Sequence, residues 1–172
     1  VTIAGSGDNT IVIDGAVYSN LANVLLYGDN NHVTIGATGH VATFRNSPGI
    51  GNIILDGNNA TVINHGTISG GAAVLIRDGM NGRVENTGRT TGVTGVTFSN
   101  MALGSLNEVI NTGYIHGSDY GVTVQIGVGF QATEIFNAGI LGGGIAAIAG
   151  SEFIDTVRNS GTIIGDVMLY GG

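Results

Sequence analysis

The chain has 172 residues, 32 of them glycine, with one proline, no tryptophan and no cysteine, and twelve acidic residues face five arginines and no lysine, a net charge of −7. So acidic a chain is a poor partner for nucleic acid or an anionic membrane surface, and without cysteine it has neither disulfides nor thiolate metal sites. No apolar stretch reaches the ~18 residues of a membrane helix, so no membrane insertion is expected.

The opening, VTIAG, already reads as strand, with no basic start and apolar run ahead of it, which fits a processed or excised piece of something longer. Residues 1–61 then repeat one theme loosely. GSGDNTIVI ends at Ile13, YGDNNHVTI at Ile35 and DGNNATVI at Ile63, each a polar turn leading into an alternating strand. NVLLYG (23–28) and NIILDG (52–57) supply further short strands, and AVYSNLA (16–22) is the one candidate helical turn.

From Val62 the theme becomes strict. VINHGTISG, VENTGRTTG, VINTGYIHG, IFNAGILGG and VRNSGTIIG share an asparagine (Asn64, Asn86, Asn111, Asn137, Asn159), a glycine two places on, and a closing glycine. The asparagines are 22, 25, 26 and 22 residues apart, a repeat length that signals a stack of supersecondary units. At ~3.3 Å per extended residue, such a period makes a closed coil of three short strands. The expected fold is therefore all-β: a single parallel β-helix (β-solenoid) domain of about seven coils, irregular over 1–61 and regular over 62–172.

Parity orients the phrase. Val62, Val84, Val109, Ile135 and Val157 share the parity of the asparagines and should point inward. So should Ile68, Thr90, Ile115, Leu141 and Ile163 after the bend, with Thr90 the weak rung. A further run follows each phrase, beginning at Val74, Val96, Val122, Ile145 and Val167, and should form the next sheet. Stacked coils bring like side chains about 4.8 Å apart, so the five asparagines should form an amide ladder that also meets backbone groups at the turn. The glycine after each should supply a special backbone angle or a close approach.

The form V-x-N-x-G-x-I-x-G followed by G-V, recurring every 20-odd residues, resembles the repeats of secreted bacterial β-helix proteins, especially autotransporter passenger domains and large adhesins. The likeness covers residues 50–172 well and the first 50 loosely. It implies a right-handed parallel β-helix, secreted or at the bacterial cell surface, serving as a stalk or adhesive surface toward a cell-surface protein or glycan. It carries the fold and not a chemistry, since one fold hosts many functions.

Chemistry has to lie outside the repeated positions. Asp8, Asp29 and Asp56 in the polar turns are calcium candidates, although the full calcium-repeat nonapeptide is missing; no other cofactor is expected. A polysaccharide-binding or polysaccharide-degrading role, the alternative reading, would rest on Asp155 with Arg158 or Arg77 with Asp78. His32, His40, His65 and His116 show no metal-ligand spacing, no G-x-S-x-G elbow is present, and Thr97 with Thr123 is too short a threonine row for ice binding. Catalysis is accordingly disfavoured, and no catalytic residue is assigned.

Two outward rows remain: Ile63, Glu85, Ile110, Phe136 and Arg158 before each asparagine, and Thr67, Arg89, Tyr114, Ile140 and Thr162 after it. Ile110, Tyr114, Phe136 and Ile140 should form an apolar interaction patch rimmed by Glu85, Arg89 and Arg158, open to a partner or to a second copy. A loop folding back, Met101–Glu108 or Gly127–Glu134, is the competing cover. Tyr170–Gly172 is too short to cap an open edge.

Overall fold

The structure is a computed structural model that describes residues 3–44, 51–125 and 131–170. Among these residues there are strands and no helix. After β1 (Ile3–Ser6), the first circuit holds β2 (Thr10–Ile13), β3 (Ala16–Ser19) and β4 (Val24–Tyr27), and the second β5 (His32–Ile35), β6 (His40–Thr43) and β7 (Gly51–Asp56). Then come β8 (Thr61–Asn64), β9 (Thr67–Ser69) and β10 (Ala72–Arg77). In the next two circuits the second and third strands fuse through their bend: β11 (Arg83–Asn86) with β12 (Arg89–Ser99), and β13 (Ser105–Asn111) with β14 (Tyr114–Gln125). The last two separate again, as β15 (Gln131–Asn137), β16 (Ile140–Gly143) and β17 (Ala146–Ala149), then β18 (Asp155–Asn159), β19 (Thr162–Ile164) and β20 (Val167–Met168).

Every pairing is parallel and joins a strand to its counterpart one circuit away, which makes three stacked faces. The first face runs β2, β5, β8, β11, β13, β15, β18. Seven strands stack there, so the chain makes six turns between β2 and β18, fewer than the expected seven. Six steps of about 4.8 Å give a rod about 29 Å long.

The core is the set of inward columns. Val33, Val62, Val84, Val109 and Ile135 stack in register and are fully buried or nearly so, and Val41, Ile68, Ile115 and Leu141 do the same past the bend. On the third face the column is Val24, Ile53, Val74, Val96, Val122 and Ile148. Ile148 stands where Ile145 was expected. The bend after Gly143 runs in register with the one after Gly117, so Ile148 is the partner of Val122 while Ile145 stays in the bend, 52% exposed. Thr90 is no weak rung: buried beside the asparagines, its Oγ1 donates to Asn86 Oδ1 at 2.9 Å and accepts from Asn64 Nδ2 at 3.1 Å.

Register and burial decide three further points. Residues 16–19 of the proposed helical turn are strand, since β6 lies in register beside them and Val17 packs on the core; only 20–22 bend, held by the Ser19 hydroxyl. Ile13 and Ile35 align with Asn64 rather than with Ile63, so the first two coils put isoleucine where later ones put asparagine. Thr97 and Thr123 pair in register but are 3% and 7% exposed, so they present no row to solvent.

Among the described residues the edges at β18–β20 and at β1–β3 leave backbone groups without a strand partner, and such edges recruit further strands. The isolated 172-residue polypeptide is expected to associate end to end, raising its apparent mass with concentration in light scattering. A constant monomer mass to high concentration would contradict this.

Candidate functional site

The asparagines build one continuous row. Asn64 Nδ2 donates to Asn86 Oδ1 at 2.7 Å, Asn86 to Asn111 at 2.8 Å, Asn111 to Asn137 at 2.7 Å, and Asn137 to Asn159 at 2.7 Å. Each amide also bonds the backbone of the next coil, as Asn111 Nδ2 does with Ile140 O at 3.0 Å. All but Asn159, on the last strand of the first face, are buried. The row is directional, its donors facing the C-terminal end, and Ile35 closes it at the other because an isoleucine offers no amide.

The phrase glycines serve close approach rather than a left-handed angle. A Cβ on Gly66, Gly88, Gly113, Gly139 or Gly161 would overlap a carbonyl oxygen of the preceding coil, and none of the five has a positive φ. Backbone angle matters instead at the polar corner, where Asp8, Asn30, Asn59 and Asn81 all have φ between 48° and 57°. Asp and Asn tolerate this region best after glycine. Their side chains form a second row: Asn30 to Asp8 at 2.8 Å, Asn59 to Asn30 at 3.0 Å, Asn81 to Asn59 at 3.2 Å. A third, buried pair joins Asn23 to Asn52 at 2.8 Å. Neither is read from the sequence, because the loose theme of residues 1–61 leaves the register between its copies open.

The calcium candidates are each engaged by protein donors. Asp8 accepts from Asn30; Asp29 accepts the Asn58 N–H and amide at 2.9 and 3.0 Å; Asp56 takes a two-pronged bond from Arg77 at 2.7 and 3.0 Å. The Asn58 backbone bond, then its side chain, hold the Asp29 carboxyl below the ordinary aspartate range. With a depressed folded value, what those bonds contribute is present above the ordinary aspartate pKa and fades as pH falls through the lowered one. Among the described residues no three His, Asp or Glu side chains gather around a common metal position.

The proposed catalytic pairs are not brought together as sites. Asp155 shares the inward parity of Val157, whereas Arg158 points outward with its guanidinium 5.8 Å from the Phe136 ring centre. Arg77 is bound to Asp56, with Asp78 farther away at 3.6 Å. The histidines are dispersed: His65 bonds Thr87 at 2.7 Å, His32 bonds Thr34 and His40 meets Tyr18, while His116 stacks on Tyr114.

The outward rows fall in the expected register, with Glu85, Ile110, Phe136 and Arg158 successive neighbours, and Arg89, Tyr114, Ile140 and Thr162 likewise. None of the four apolar residues is buried. Ile110, Tyr114 and Phe136 are half-buried and Ile140 is 38% exposed. Ile110 and Phe136, with Thr112, Ala138, Arg158 and Ser160, line an open groove of 270 Å³ over the asparagine row. Tyr114 and Ile140 stand past the glycine bend and are not in its lining. Arg89 lies 4.3 Å over the Tyr114 ring. Glu85 pairs with Arg83 at 2.6 Å, and Arg83 also reaches Glu108.

The first candidate cover is not a loop over the patch. Met101 is fully buried in the core, Ser105 already begins β13, and Leu103 and Leu106 are 62% and 50% exposed. In the second, Gln131 begins β15, and Gly127, Val128 and Phe130 lie outside the described residues, as do Gly171 and Gly172. Comparison with protein families, curated proteins and solved structures finds no match for this chain.

Proposed function

We propose that this chain is a non-catalytic structural and adhesive β-solenoid segment of a secreted or surface-displayed bacterial protein, and that the corner beside the asparagine row carries its contact. The observation that supports this reading is a division of labour. The repeated positions are taken up in internal bonding, whereas the variable positions around Ile110 and Phe136 leave an open apolar groove with a guanidinium over one ring. An apolar groove with a polar rim marks an interaction surface. The partner in this reading is a cell-surface protein or glycan, or a second copy of the chain; nucleic acid has no part in it, given the net charge of −7, nor has membrane insertion, given the lack of a membrane-length apolar stretch.

Phe136→Asp tests it. The side chain is half-buried and outward, so the coil should survive, and an unchanged circular dichroism spectrum would verify that. Adhesion of labelled protein to bacterial and host-cell surfaces, and lateral association in sedimentation velocity, should fall at least about tenfold, the effect of losing one central aromatic anchor. Unchanged adhesion and unchanged association in a folded variant would refute the contact.

A further inference from the structure

Inside the last three coils the wall of the core turns polar. Asn107, Thr133 and Asp155 are successive register partners on β13, β15 and β18, two residues before the inward Val109, Ile135 and Val157, and they share that inward parity. Ser105 and Gln131 pair two residues earlier, on the same side. Asn107, Gln131 and Thr133 are 0–2% exposed. In earlier coils the same position holds Gly82, Ala60 and Asn31, and the Asn31 amide is met by Tyr27 O at 3.1 Å and Gly28 O at 2.7 Å.

In the last coils the groups are not met. Thr133 Oγ1, both amide atoms of Gln131, and Asp155 Oδ1 are buried without a hydrogen-bond partner among the described residues, as is Asn107 Nδ2. Burying such groups unpaired costs about 1–3 kcal/mol each, and native interiors avoid it unless something else occupies the place. Asp155 Oδ2 is fixed by the Ser151 N–H at 2.6 Å and its hydroxyl at 3.3 Å, which aims the other oxygen. Asn107 Oδ1 is taken by the Gly82 N–H and the Ser105 hydroxyl, so that end of the column offers a donor. The Asp155 end offers acceptors: a carboxylate oxygen, a hydroxyl and an amide free to turn its oxygen inward.

We propose that Gln131 Oε1, Thr133 Oγ1 and Asp155 Oδ1 hold a hard, oxygen-seeking cation of the calcium or sodium class inside the C-terminal coils. Water alone would bridge the dipoles but would leave the buried Oδ1 of the half-buried Asp155 carboxylate without a counter-charge. Carboxylate, hydroxyl and amide oxygens are the ligands such cations take, and a single carboxylate places calcium affinity at the weak, millimolar end. A cleft of 190 Å³, lined in part by Ser105, Gln131 and Phe153, borders the column and gives an entry path. The site is separate from the turns carrying Asp8, Asp29 and Asp56.

The test is equilibrium dialysis of the 172-residue chain against radioactive calcium, with melting curves in calcium, in sodium and in choline chloride at equal ionic strength. Uptake of about one calcium per chain, or a melting temperature raised by roughly 3–6 °C in calcium or in sodium over choline, is expected from ligand linkage near ten times Kd. Asp155→Asn and Thr133→Val should abolish uptake and shift, and Asp8→Asn should keep both. Should Asp155→Asn not fold, Thr133→Val decides. Neither uptake nor a cation-dependent melting shift in the unmodified chain would overturn the proposal and leave water only, and an effect surviving both column variants would overturn it equally.

Discussion

Asn111→Ala is expected to lower stability by about 2–4 kcal/mol, and Asn137→Ala by a similar amount, because truncation strands buried groups at about 1–3 kcal/mol each. Removing the Asn111 amide leaves Asn137 Oδ1 and Ile140 O without their 2.7 and 3.0 Å donors. Asn86 Nδ2 loses an acceptor too, but keeps Gly88 O and Tyr114 O at 3.2 Å, which limits the loss on that side. For a domain of this size the change corresponds to roughly 5–15 °C in Tm. Asn159→Ala is the internal comparison. That residue is exposed and donates only to Gly161 O at 3.2 Å, so its loss should cost about 1 kcal/mol or less. Denaturation midpoints unchanged in both Asn111→Ala and Asn137→Ala would refute a stabilising row.

Gly139→Ala should be worse than its single methyl suggests, with a loss of about 3 kcal/mol or more, at the upper end of overpacking effects. The new Cβ would overlap Gly113 O and lie 2.6 Å from Thr112 C, both backbone atoms of the preceding coil that cannot rotate away. Relief requires the two coils to part, which lengthens the amide bond between Asn111 and Asn137 as well. Gly15→Ala is the control, since nothing lies within 4 Å of its Cβ position and its φ is not left-handed. It should change stability by no more than about 0.5 kcal/mol. Equal urea midpoints for the two variants would show that the coils are not in the close contact described.

What the sequence by itself determined is whatever recurs. In a stack, a residue's neighbours are its counterparts one circuit away, so a phrase repeated five times spells out its own contacts. The asparagine row, the Val62 and Ile68 columns, the outward row from Glu85 to Arg158 and the parallel class of fold follow from position within the phrase. The tertiary structure decided everything between phrases, because the circuit length varies from 22 to 29 residues and register there depends on how each connection bends. A bend after Gly143 moved Ile145 out and Ile148 in, and a neighbouring strand made 16–19 extended against a local helical reading. Only the fold brought Asp8, Asn30, Asn59 and Asn81 into one row, and only the fold set Gln131, Thr133 and Asp155 on one inward side of two adjacent strands. Side chains that occur once in a sequence have no second copy to announce which neighbour they meet.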